Sequence, residues 1–129
     1  MGDRGNIVLR YGTSDKDKAP QDIYLYTHWG GSDIPTIVQA ALARKVRWND
    51  DSYLGRIMFV ALIGKQQGEE TGYGISPYPP DNEHDYLMLD LDALHVLRVD
   101  PDSGTVKASW TFTEYIALNL DTAKGLKDF

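Results

Sequence analysis

The sequence predicts an α+β domain: a single, mainly antiparallel sheet of five to six strands covered by two amphipathic helices. Three observations carry this expectation. Short alternating runs rich in β-branched and aromatic residues occupy both ends of the chain. Two successive segments between them repeat apolar residues at helical spacing, and the links between runs are of hairpin length, which favours antiparallel pairing. The 129 residues suffice for one core, so one domain over 1–129 is expected.

Asn6 to Tyr11 sets Ile7 and Leu9 against Val8 and Arg10, a strand with one face buried. A polar, charged loop from Gly12 to Gln21, broken by Pro20, leads to a second strand over Asp22 to His28. Gly30 and Gly31 end it, and Ser32 or Asp33 then caps a helix whose early Pro35 has no intrahelical donor to lose. In that helix Ile34, Ile37, Val38, Ala41 and Leu42 make one apolar stripe. Leu54, Ile57, Met58, Ala61 and Leu62 repeat the spacing in a second helix, capped by Ser52 after the link Arg47 to Asp51. Strands follow at Tyr73 to Tyr78, Tyr86 to Leu91, His95 to Val99 and Thr105 to Thr111, the last two joined by the turn DPDSG. Thr113 to Leu118 suits a short helix.

The composition narrows the function. With no cysteine, disulfides, thiolate metal cages and cysteine nucleophiles are excluded, and a reducing cytoplasm is the expected location. The first residues lack the basic and apolar segments of a secretory signal, no run is long enough to span a membrane, and Asn6 stands where an acylation motif at Gly2 needs Ser or Thr. A net charge of −6 argues against binding duplex nucleic acid, but two or three cations still suffice for a small phosphorylated ligand.

Four segments carry candidate chemistry. In Tyr26, Thr27, His28, Trp29, Gly30, Gly31 and Ser32 a strand runs through a glycine turn into a helix N-terminus, where free N–H groups can hold a phosphate or carboxylate. The lysine of a Walker loop is missing, and a tight capped turn is the simpler use. Arg44, Lys45, Arg47, Trp48, Tyr53 and Arg56 form the one locally basic, aromatic-rich stretch. Arg44 and Lys45 suit a helix C-terminus for stability alone, leaving Arg47, Trp48 and Arg56 to grip a phosphate and stack a base. Thr71 and Tyr73 lie among Gly72 and Gly74, which permit close approach by a ligand or simply a bulge. Asp81, Asn82, Glu83, His84 and Asp85 hold the groups of a general base or metal ligand, but also those of an ordinary polar turn.

His28 and His84 are candidates for a catalytic or metal pair, although no H-E-x-x-H spacing supports one, and His95 reads as structural. DPDSG lacks the twelve-residue pattern of a calcium loop. The expected ligand-binding set is Tyr26, His28, Trp29, Gly30, Gly31, Arg47, Trp48, Tyr53, Arg56, Thr71, Tyr73, Asn82, Glu83 and His84. No catalytic residue, metal or cofactor is assigned.

The segments MGDRGNI, YTHWGG, Arg47 to Arg56, and ETGYGIS followed by DNEH together resemble a family of small proteins from phages and their bacterial hosts. The likeness covers much of the chain, transfers no catalytic residue, and implies a setting in which small proteins sequester or degrade nucleotide immune signals. Three readings follow. The first is a non-enzymatic binder of a nucleotide-like ligand, a reading compatible with a homo-oligomer. The second is a hydrolase or phosphodiesterase, metal-dependent or using His28 or His84 with Glu83 or Asp85. The third is an acidic module that blocks a host protein, since Asp81 to Asp102 carries seven carboxylates against one arginine.

Overall fold

The computed structural model describes residues 2–129; Met1, the first residue of the MGDRGNI segment, lies outside them. Six strands, β1 (Gly5–Tyr11), β2 (Gln21–Thr27), β3 (Tyr73–Ser76), β4 (Tyr86–Asp90), β5 (His95–Val99) and β6 (Val106–Thr111), form one sheet in the order β3-β2-β1-β4-β5-β6. The helices are α1 (Ile34–Ala43), α2 (Asp51–Ile63) and the short α3 (Phe112–Ile116). The chain is α+β, as its patterning predicts.

The sheet is mixed. Every neighbouring pair is antiparallel except β1 and β4, which run parallel with Ile7 opposite Leu87 and Leu9 opposite Leu89. Hairpin-length links cannot produce a parallel pair, because the chain must cross over before it returns in the same direction. Here the connection from β1 to β4 runs through β2, α1, α2 and β3, and it brings the two most continuously apolar strands together at the sheet centre.

Alternation then sorts the side chains. Ile7 and Leu9 of β1, Leu25 of β2, Leu87 and Leu89 of β4 and Val96 of β5 join Ile34, Val38 and Leu42 of α1 and Leu54, Met58 and Leu62 of α2 in one buried core. Each fully buried aliphatic side chain contributes about 1.5–3 kcal/mol of burial. Ile37 and Ala61 flank this core half-buried. The opposite face holds a smaller cluster of strand residues, Val8, Tyr86, Met88 and Val99 with Tyr24 and Leu97, in which Tyr24 and Tyr86 meet edge to face at 5.6 Å.

The caps differ from the expected ones. A single 3-10 turn (Gly31–Asp33) precedes α1, and neither Ser32 nor Asp33 caps the helix with its side chain. Asp50, not Ser52, caps α2 by accepting from the Tyr53 N–H. Thr111 and Glu114 form a reciprocal capping box on α3. That box orients Tyr115, fully buried, whose hydroxyl donates to the Pro35 carbonyl at 2.9 Å and whose phenol is pushed up by burial. Gln39 of α1 donates to the carbonyls of Tyr115 and Leu118, fixing the chain after β6 against the helix layer. No helix among the described residues is long and apolar enough to cross a membrane.

Candidate functional site

The connection between α1 and α2 gathers the basic and aromatic residues singled out in the sequence. Lys45 and Arg47 both take left-handed backbone, φ 54° and 60°, which costs a non-glycine residue about 1–2 kcal/mol. The link is held by Lys45 N–H to the Leu42 carbonyl at 2.9 Å and Asp50 N–H to the Arg47 carbonyl at 3.1 Å. Its turns carry the Arg47 guanidinium over the Tyr53 ring, 4.8 Å from the centroid. Tyr53 is 55% exposed. Trp48 is half-buried, edge-on to Phe112 at 5.4 Å, and its indole nitrogen is buried without a hydrogen-bond partner.

Two depressions flank this link. One, of about 590 Å³, is lined by Lys45, Arg47, Trp48, Asn49 and Asp50, and the other, of about 320 Å³, by Arg44, Tyr53, Arg56, Ile57 and Val60. Among the described residues no salt bridge engages Arg44, Lys45, Arg47 or Arg56, whereas Arg4, Arg10, Arg98 and Lys107 all pair with carboxylates. Three exposed cations beside a tyrosine ring, Arg44, Arg47 and Arg56, can receive a phosphate and a flat base.

The glycine turn before α1 is built differently. The Asp3 carbonyl accepts from Gly31 N–H at 2.8 Å, and the Asp3 carboxylate accepts from Ser32 N–H at 2.9 Å. The chain thus supplies its own anion to the donors that a phosphate would use. The other Asp3 oxygen receives the Nε2–H of His84 at 2.5 Å, and His84 Nδ1 faces the Phe129 carbonyl at 2.5 Å. The His84 hydrogen bond is the main reason the Asp3 carboxyl lies at about 2. For His84 burial acts downward, but the hydrogen bonds to Asp3 and Phe129 outweigh it and raise the imidazole above its ordinary value. An imidazole with an oxygen acceptor at each nitrogen is a cationic double donor. It braces the N-terminal segment against the chain end, and neither nitrogen is free to take a proton from a substrate.

The rest of this end of the sheet is similarly paired. Glu83 and Asp81 receive the Arg4 guanidinium, while Asn6, fully buried, donates to the Asp81 carbonyl and to Asn82 and leaves its own Oδ1 without a partner. Asn82 in turn donates to the His84 carbonyl. Arg98, only 7% exposed, donates to Asp85 at 2.7 Å and to the carbonyls of Gly125, Lys127 and Asp128, with Phe129 stacked on His84 and beneath the guanidinium. Lys107 also reaches Asp85, at 2.9 Å.

The expected ligand residues therefore fall into separate groups. Arg47, Trp48, Tyr53 and Arg56 share the α1–α2 link, and Trp29, Thr71 and Tyr73 line a third cleft beside the β2–β3 edge. Asn82, Glu83 and His84 line a polar hollow with Arg98 and Phe129. Gly30 and Gly31 form the turn that Asp3 closes, while the Tyr26 hydroxyl meets His28 Nδ1 at 2.9 Å. No cluster of three or more potential metal ligands exists among the described residues.

Sequence reasoning passed over Asp3 and Arg98. Arg98 left a legible signal, since it shares a strand face with Val96, and a charge on a core-facing position implies a buried partner. Asp3 left none, because only the fold brings residue 3 beside residues 31 and 84. No family model, curated protein or solved structure matches the chain.

Proposed function

We propose that the protein binds a small phosphorylated, nucleotide-like molecule at the α1–α2 link and acts by holding it. The observation that carries this reading is the set of four unpaired cations at the link, Arg44, Lys45, Arg47 and Arg56, three of them (Arg44, Arg47 and Arg56) beside Tyr53, in a chain of net charge −6. Arg4, Arg10, Arg98 and Lys107 are matched to carboxylates, whereas the link gathers four open cations in one stretch, and two of its residues adopt strained backbone to present them. Arg47 and Arg56 take the phosphate, and the exposed Tyr53 ring takes the base. Sequestration of a nucleotide signal in a host cytoplasm, by one copy or an assembly, is the setting to which the phage-like motifs point.

Hydrolysis through His84 has less support, because both ring nitrogens are engaged by the chain itself. Partner blocking through an acidic face is weakened likewise: Asp81, Glu83 and Asp85 are paired, and Asp90, Asp92 and Asp100 accept hydrogen bonds from neighbouring turns. The test is calorimetric titration of the full chain with mononucleotides and cyclic dinucleotides, after native mass spectrometry has read the number of copies and any retained small molecule. Arg47→Ala with Arg56→Ala is expected to weaken the best of these at least about tenfold with the melting curve preserved. Unchanged affinity in the double variant removes the site.

A further inference from the structure

The third cleft has none of the cations that mark the α1–α2 link. It holds about 390 Å³ and is lined by Trp29, Gln66, Glu69, Thr71 and Tyr73: two aromatic rings, one carboxylate, an amide and a hydroxyl, without a basic side chain. Lys65, the nearest cation in sequence, is not part of its lining.

Trp29 is 59% exposed yet fixed in place. Its indole lies against Gly72, where a Cβ would fall 2.3 Å from Cζ3, and Gly72 has φ +93°, so the sequence reserves this spot for a residue without a side chain. The His28 ring meets it edge-on at 4.8 Å, and His28 N–H donates to the Gly72 carbonyl at 2.8 Å. Gly30 N–H donates to Thr27 Oγ1, closing the turn that carries Trp29 out of β2. Tyr73, opposite Thr27 in the sheet, packs partly against the core, so the second ring is anchored too.

A single exposed apolar side chain is ordinary on a protein surface; what marks this one is that His28 and Gly72 hold it and that a second ring, Tyr73, lines the same cleft. The electrostatics specify what it meets. Ring faces carry negative potential, and Glu69 adds a full negative charge. Both favour a cation. A hydrated ammonium gains little from aromatic rings, whereas an alkylated one loses little water and presents methyl groups to them.

We propose that the cleft formed by Trp29, Tyr73 and Glu69 binds a small organic cation carrying a methylated ammonium group. This site is separate from the α1–α2 link and does not depend on what binds there.

Choline and its uncharged carbon isostere, 3,3-dimethyl-1-butanol, provide the test, followed by nitrogen–proton NMR of the full chain, which has three tryptophans. Choline is expected to shift the Trp29 indole signal and the Thr71 and Tyr73 amides and to saturate at about millimolar concentration, with the isostere at least about fivefold weaker. Trp29→Ala, at an exposed position, is expected to keep a folded spectrum and lose about tenfold in affinity. Glu69→Gln keeps both rings and is expected to lose about threefold. Equal binding of the two probes overturns the cation assignment. Absence of a saturable shift at Trp29, or full choline affinity in both variants, overturns the site.

Discussion

Replacing Asp3 by Asn tests the brace at the glycine turn. Asparagine keeps the shape and an oxygen for Ser32 N–H, but removes the charge facing His84. A carboxyl at about 2 in the folded chain, against an ordinary 3.8, corresponds to about 2.4 kcal/mol if unscreened. The Asp3 side chain is 35% exposed, and solvent screening reduces this to about 1 kcal/mol. Because the Asp3 carboxyl is depressed, its contribution is present above pH 3.8 and is lost as the pH falls toward 2. Because His84 is raised, its contribution is complete below about 6.5 and is lost as the pH rises through its folded value. The two overlap between roughly pH 4 and 6.5. Urea unfolding of the wild type and Asp3→Asn, followed by tryptophan fluorescence at pH 2, 5.5 and 9, is expected to show the full difference of about 1 kcal/mol only at the middle pH. In a thermal melt it amounts to about 4 °C for a chain of this size. A difference equally large at all three pH values would refute the charge-based account.

Other positions make independent predictions. Arg98→Met is expected to cost about 3 kcal/mol in urea unfolding, since Asp85 retains only Lys107 and the carbonyls of Gly125, Lys127 and Asp128 lose their donor; amide exchange over 124–129 should accelerate in step. Gly31→Ala places a Cβ 2.8 Å from the Asp3 carbonyl oxygen and 2.7 Å from His84 Cδ2, and a loss of about 2 kcal/mol is expected in the same assay. Tyr115→Phe leaves the Pro35 carbonyl without its donor at 2.9 Å and should lower stability by about 1 kcal/mol, read by calorimetry. Thr111→Val removes the side-chain half of the α3 capping box, at a cost of about 1 kcal/mol.

Much of the architecture is legible in the sequence because local periodicity and burial agree. The alternation Ile7, Leu9 and Leu87, Leu89 marks the core-facing side of two strands, and the stripe from Ile34 to Leu42 marks α1. Their partners are not legible. The parallel contact of Ile7 with Leu87 spans the whole intervening crossover, and no local pattern encodes a neighbour eighty residues away. The candidate site divides in the same way. Arg47, Tyr53 and Arg56 lie close in sequence on one helix and its entry turn, so their common surface follows from the pattern. The contact of Tyr26 with His28, two residues along one strand face, follows from the pattern as well, whereas those of His84 with Asp3 and of Trp48 with Phe112 span long stretches of the chain and have no local signal.

The central parallel pair also dictates an order of assembly. β1 is expected to pair early with β2, its hairpin neighbour, while its other edge waits for β4, leaving Val8 and Leu9 on the border of a half-sheet with an open, apolar flank. On the ribosome that edge stays unpartnered while α1, α2 and β3 are made, and the β4-β5-β6 meander arrives afterwards as a separate unit to be docked. The backbone seam has four residue pairs, and the halves are tied as well by the shared core and by contacts such as Tyr115 to Pro35 and His84 to Asp3, all of which must wait for the second half of the chain. A chain cut in the loop between β3 and β4 should therefore yield two fragments that recognise each other along this seam, each aggregation-prone alone and soluble once paired.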